Sequence, residues 1–233
     1  MASKAPPTGG LDPALVAAHD PRGAAAEAYR TLRTNILFAS PDKPLHTLLA
    51  TSTSPDDGKS TTLANLAITL AETGAHTILV DCDLRRPSQH TLFGLPNEVG
   101  LTSLMLGGAG AALPNPLPVQ ATSIANLGVL TSGPLPPNPA ELLASRRMAE
   151  VLEQLAGKAD YILFDSPPVL AVTDAAILAP RVDGVLLIVR AGKTKRDLAV
   201  KARRILAQVN APIVGVVLND ATLDNKGYGY YGK

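Results

Sequence analysis

The chain predicts an α/β domain built on a doubly wound, mostly parallel sheet. Three features point there. Apolar runs of strand length recur at residues 45–50, 77–80, 127–130, 161–164, 185–189 and 213–218. Segments with apolar residues at helical spacing lie between several of them, the alternation expected of βαβ units. The polar groups able to do chemistry stand just past the C-terminal ends of strands, the rim where open α/β sheets bind ligands.

Residues 1–20 are rich in Pro, Gly and Ala and are expected to form a flexible arm. The domain proper is expected over 21–222. It opens with a helix at 24–39 whose Tyr29, Leu32 and Ile36 share one face. Glu27, Arg30 and Arg33 recur every three residues on a neighbouring arc. By spacing alone they read as a solvated charged face with one Glu–Arg pair.

The strand at 45–50 leads into Ser54-Pro55-Asp56-Asp57-Gly58-Lys59-Ser60-Thr61, and Leu63, Leu66, Ala67 and Leu70 then repeat at helical spacing. Strand, loop and helix in this order are the context of a phosphate-binding loop. Backbone N–H groups would wrap a phosphate, Lys59 would reach the β- and γ-phosphates, and Ser60 or Thr61 would offer Mg²⁺ a hydroxyl. The pattern G-x-x-x-x-G-K-[ST] is incomplete, because Thr53 stands at its first glycine. The same residues also fit a polar turn capped by Asp57.

The strand at 77–80 ends in Asp81-Cys82-Asp83-Leu84-Arg85-Arg86. Two carboxylates two residues apart suit a hydrated Mg²⁺, and the arginines can balance them or touch phosphate. Cys82 reads as space-filling. A short helix at 101–106, a Gly/Pro-rich loop and a helix at 141–155 read as structural. The strand at 161–164 ends in Asp165-Ser166, a Walker B arrangement in which a carboxylate orients a water of Mg²⁺. The last two strands end at Arg190 and at Asn219-Asp220, with an exposed basic helix expected at 194–209 between them. Residues 223–233 hold Tyr228, Tyr230 and Tyr231, three of the five tyrosines. Residues 227–232 match G-x-G-x-x-G, a false hit because no helix can follow. Clustered phenols at a free end suggest modification.

Composition excludes several classes. A net charge of +1 makes no electrostatic case for nucleic acid or a membrane surface. No run approaches the roughly 18 apolar residues of a membrane span, and the start lacks a secretory apolar core. The single cysteine cannot form an internal disulfide and fits a reducing cytoplasm. The histidines lack metal-ligand spacing.

Taken together and in order, the phosphate loop, the Asp81/Asp83 run, the Asp165 strand and the tyrosine tail resemble the bacterial tyrosine kinases of capsule and exopolysaccharide assembly. The resemblance covers residues 27–233. It implies a P-loop NTPase fold with deviant Walker motifs, akin to the partitioning ATPases. Walker A is 54–61, Walker A′ is 81–85 and Walker B is 162–168. The implied activity is ATP- and Mg²⁺-dependent autophosphorylation of Tyr228, Tyr230 and Tyr231. Lys59 would hold phosphates, Ser60, Asp81 and Asp165 would serve the metal, Asp83 would accept the phenolic proton, and Arg190 and Asn219 would line the base pocket. Glu27, Arg30 and Arg33 correspond to the family's oligomerisation helix, which implies a ring, an octamer in the family. Further implied are a membrane-anchored activator of polysaccharide co-polymerase type, a tyrosine phosphatase and a place at the inner face of the plasma membrane. Two departures stand out: Asp56 replaces a glycine, and Ser166 replaces a threonine. Rival readings are a partitioning or placement ATPase switch, against which Ser54 stands where those enzymes carry a second lysine, and a nucleotide-gated scaffold without phosphoryl transfer.

Overall fold

The computed structural model describes residues 10–40, 43–107 and 112–222. In chain order their elements are α1 (Val16–His19), α2 (Ala24–Ala39), β1 (Thr47–Ser52), α3 (Lys59–Ala71), β2 (Thr77–Asp81), α4 (Gln89–Leu92), α5 (Leu101–Met105), β3 (Gln120–Ala121), β4 (Leu127–Leu130), α6 (Pro139–Ala144), α7 (Arg146–Leu155), β5 (Tyr161–Asp165), α8 (Asp174–Leu178), β6 (Gly184–Arg190), α9 (Arg196–Gln208) and β7 (Ile213–Asn219). The sheet order is β3-β4-β2-β5-β1-β6-β7. Every pairing is parallel except β3 with β4. The two residues of β3 are too few to carry a period, which is why the sequence predicts six strands and not seven.

Successive side chains of a strand point to opposite faces, and both faces of this sheet are covered. Leu48, Ala50, Leu79, Leu163, Leu186 and Ile188 pack against Leu63, Leu66, Ala67 and Leu70 of α3. On the other face Leu49, Val80, Phe164, Val185 and Leu187 pack with Leu143, Met148, Val151, Leu178, Ala202 and Leu206. The near-continuous apolar strands follow from this double covering.

Helix α3 is buried from Thr62 to Ala71, on every side. The sheet covers one side, while α1 and α2 cover the other. Here the structure departs from the expected arm: Leu15 and Ala17 are buried, and Asn65 ties the segment down. Its Oδ1 accepts from Ala17 N–H at 2.9 Å, and its Nδ2 donates to the Ala14 carbonyl at 3.0 Å. A few apolar residues and two hydrogen bonds from the buried Asn65 hold residues 12–20 against the domain, despite a composition typical of linkers.

Two helices also differ from expectation. The segment 141–155 forms α6 and α7, broken at Ser145, whose backbone is extended. Its hydroxyl accepts from Met148 N–H at 3.2 Å and so caps α7, the local competition that keeps serine out of helix interiors. The basic helix, α9, exposes Lys201, Arg203 and Arg204 but buries Ala202 and Leu206 in the core. Among the described residues, no helix is long and apolar enough to cross a membrane.

Replacing Asn65 by Ala leaves the Ala17 N–H and the Ala14 carbonyl unpaired. The expected loss is about 2–3 kcal/mol in urea denaturation, with faster proteolysis near residues 10–20.

Candidate active site

The C-terminal ends of β1, β2, β5, β6 and β7 lie along one rim of the sheet. Register does the positioning: Asp81 and Asp165 are direct cross-strand partners, and so are Arg190 and Asn219. Residues 84 and 29 positions apart in sequence thereby stand side by side.

The loop between β1 and α3 is braced by Asp57. Its Oδ2 accepts from Thr53 Oγ1 at 2.7 Å and from Ser54 N–H at 2.9 Å, while its Oδ1 accepts from Thr194 Oγ1 at 3.1 Å. Asp57 therefore does not cap α3. The residue before α3 is Gly58, and no side chain caps that helix end. The first N–H groups of α3 are thus left for a ligand, with the positive end of the helix dipole behind them. Gly58 sits at φ +88°, and a Cβ there would lie 2.0 Å from Asn219 Nδ2. Asp56, the departure from the family's glycine, has φ +63°. Only glycine takes that conformation freely, and Asp is among the residues that tolerate it.

Lys59 Nζ lies 2.8 Å from Asp83 Oδ2, 3.2 Å from Asp165 Oδ1 and 3.0 Å from Ser60 Oγ. Burial disfavours its charge, but Asp165 and Asp83 together hold the ammonium above its ordinary pKa. Asp83 Oδ1 accepts from Arg86 N–H at 2.9 Å and Arg85 N–H at 3.3 Å. Asp81 is fully buried, and its Oδ2 accepts from Ser88 and Gln89 N–H at 3.0 and 2.9 Å. Burial, then the facing Asp165 carboxylate, push Asp81 up to about 8. Burial likewise raises the Cys82 thiol, consistent with an inert filler.

A cavity of about 500 Å³ opens over Lys59, Ser60 and Asp83, walled by Arg85, Pro168 and Val172. A second, of about 750 Å³, runs over the other side of the loop beside Tyr29, Leu32, Arg190, Leu218 and Asn219. Asp56, Gly58 and Thr61 line both. Arg190 Nη1 donates to the Asp56 carbonyl and Asn219 Nδ2 to the Asp57 carbonyl, both at 3.0 Å.

The rim thus brings together residues 54–61, Asp81, Asp83, Asp165, Arg190 and Asn219. The arginines after Asp83 do not balance Asp81; Arg85 instead forms a two-pronged pair with Asp174 at 2.9 and 3.0 Å. Arg30 pairs with Glu27 at 3.2 Å and with Glu72 at 3.6 Å, and Arg33 donates to the Thr69 carbonyl, so both dock α2 on the C-terminal half of α3. Tyr228, Tyr230 and Tyr231 lie outside the described residues. Sequence reasoning missed Gln89, whose Nε2 donates to Asp165 Oδ2 at 2.8 Å, as well as Thr194 and Asp174. No spacing rule links any of them to its partner.

Oxygen donors from Ser60, Asp81, Asp83 and Asp165 are the hard ligands Mg²⁺ takes. Among the described residues no three acidic, His or Cys side chains form a metal cage. A cation held partly by nucleotide phosphates needs none. The space beside Gly58 is taken by the Asn219 amide, and the uncapped first N–H groups of α3 are what a phosphate would meet. The residues therefore fit a nucleotide with Mg²⁺.

Comparison with known proteins agrees with this geometry. The ParA family profile described as NUBPL iron-transfer P-loop NTPase matches residues 46–228. Tyrosine-protein kinase YwqD of Bacillus subtilis is 44% identical over 219 residues, 94% of this chain and 91% of that protein. Tyrosine-protein kinase Wzc of Salmonella typhimurium is 36% identical over 94% of this chain, which spans only 30% of Wzc. The solved kinase domain of Escherichia coli tyrosine kinase Etk superposes with a TM-score of 0.81 at 34% identity, covering 93% of this chain and 84% of that one. Septum site-determining protein MinD of Pyrococcus horikoshii, complexed with Mg-ADP, has a TM-score of 0.62 at 24% identity over 74% of this chain and 69% of its own, a likeness of fold alone.

Two outcomes follow from the geometry. Gly58→Ala pushes Asn219 off the loop, and ADP affinity by calorimetry is expected to fall roughly tenfold or more. The native state keeps a proton on Asp81 between about pH 4 and pH 8 that the unfolded chain has released. Unfolding free energy therefore declines as pH rises through that window. Denaturant titrations from pH 5 to pH 8 should find this decline in the parent protein and a flatter profile in Asp81→Asn.

Proposed function

The chain belongs to the bacterial tyrosine-protein kinases, and from that membership we propose that it moves the γ-phosphoryl group of ATP to tyrosines of its own C-terminal tail. The observation that carries the proposal is Lys59 buried between Asp83 and Asp165 at the floor of an open cavity. Bound Mg-ATP supplies the phosphoryl group and the charge that activates it. The backbone of 56–61 holds its phosphates, and Lys59 compensates their charge. Ser60, Asp81 and Asp165 would hold the cation and its waters. Asp83 Oδ2 keeps a lone pair beside Lys59 and accepts the phenolic proton. A phenol has a pKa near 10, so it needs only modest help from a base. Positioning and charge neutralisation are therefore the main work. Arg190 and Asn219 in the second cavity would hold the adenine ring.

Residues 224–233 extend at most about 33–36 Å, and a domain of this size has a radius of gyration of about 17–18 Å. A neighbour's site in a ring is within reach. Glu27, Arg30 and Arg33 are the residues we assign to that ring, an octamer. Leu37 and Phe38 on the same helix are 47% and 75% exposed, which supports an interface along α2. Capsule or exopolysaccharide assembly is the process we infer. A membrane-anchored activator would hold the kinase at the inner face of the plasma membrane, and a tyrosine phosphatase would reset it. The chain spans 91% of YwqD but only 30% of Wzc.

Intact mass after incubation with Mg-ATP tests the reading. Stepwise gains of one phosphate are expected, absent in Lys59→Met and in a chain cut after Asn225. ATP turnover without mass gain would point to a switch ATPase instead.

A further inference from the structure

Gln89 touches three residues of the site at once. Its backbone N–H donates to Asp81 Oδ2 at 2.9 Å. Its Nε2 donates to Asp165 Oδ2 at 2.8 Å and to the Ser60 carbonyl at 3.2 Å. The residue is completely buried, and its Oε1 has no hydrogen-bond partner among the described residues. The reverse orientation of the amide would set that oxygen against Asp165 Oδ2, acceptor against acceptor at the same 2.8 Å. Geometry therefore fixes the nitrogen on Asp165 and leaves the oxygen in need of a donor.

Among the described residues no group donates to it. Lys59 has three ammonium hydrogens, and Asp83, Asp165 and Ser60 take them. Asp81 accepts from backbone on Oδ2, and its Oδ1 accepts from Asp83 N–H at 3.2 Å. A buried amide oxygen left unpaired is unfavourable, so its presence beside carboxylates points to a donor brought by the ligand. Mg²⁺ keeps much of its hydration shell, and waters on a cation are strong donors.

We propose that Gln89 is a positioning residue for metal loading: its NH₂ orients the Asp165 carboxylate, and its Oε1 accepts from a water of the bound magnesium ion. The proposal rests on the reading of the rim as a Mg-nucleotide site. Gln89 also joins α4 to the Walker B strand, so the position of α4 and the orientation of Asp165 are set together. In metal sites such outer partners are typically worth 10–100-fold in metal affinity or activity.

The test uses the full chain with ADP as probe, first in chelator and then across a magnesium series, followed by calorimetry. Gln89→Met keeps the length of the side chain and removes donor and acceptor; Gln89→Asn keeps the amide but shortens it. The expected result in Gln89→Met is a larger loss of ADP affinity with magnesium than in chelator, with the magnesium concentration for half-maximal enhancement raised about 10–100-fold. A smaller rise is expected for Gln89→Asn. An unshifted magnesium midpoint in Gln89→Met, or an equal loss with and without magnesium, overturns the proposal. Should Gln89→Met fail to fold by thermal melting, Gln89→Asn decides: a raised midpoint supports the proposal and an unmoved one overturns it. A parent protein whose ADP binding ignores magnesium fails the nucleotide reading itself, a result distinct from an unshifted variant.

Discussion

One buried ammonium among three carboxylates governs this molecule. Asp81, Asp83 and Asp165 meet at the end of two neighbouring strands, and Lys59 brings the positive charge that lets them coexist. Carboxylates this close cannot all ionise out of water without compensation. The consequences divide by position. Asp83 and Asp165 pair directly with Lys59, whereas Asp81 relies on backbone N–H groups and tends to keep its proton. A site balanced in this way is tuned to accept further positive charge with its ligand.

The scaffold around Lys59 is correspondingly rigid. Helix α3, which carries it, is enclosed between sheet and helices, so it has no solvent face on which to relax. Asn65, Arg30 and Arg33 fasten α1 and α2 to the outer side of α3. The wall of the second cavity is then made of the same α2 that we assign to the ring. On that assignment the cavity wall and the ring contacts would belong to one packed unit, α2 on α3.

The phosphate loop also has a structure of its own making. With Thr53 at the first glycine position, the loop is stabilised by a carboxylate brace: Asp57 collects Thr53, Ser54 and Thr194. The strain of a left-handed residue falls on Asp56, a residue type that bears it, and the close approach to Asn219 falls on Gly58, which has no Cβ to obstruct it. Departures from a familiar motif here keep the loop's geometry by other contacts.

Local order was legible from the chain alone. Strand runs, the periodicity of α3 and the order of phosphate loop, Asp81-x-Asp83 and Asp165 depend on neighbours in sequence, and they determined the sheet class and the nucleotide chemistry. The same local view failed where packing overrides composition. Residues 12–20 look like linker yet dock through Leu15 and Asn65, and Ser145 splits an apolar periodicity that reads as one helix. What only the tertiary structure decided is partnership: that Asp81 faces Asp165, that Arg85 chooses Asp174 over its own neighbours, that Gln89 reaches the Walker B carboxylate 76 residues away. Strand register and helix placement are collective properties of the whole sheet, set by burying two apolar faces at once. No spacing within the chain encodes which distant polar groups that burial brings within hydrogen-bond distance.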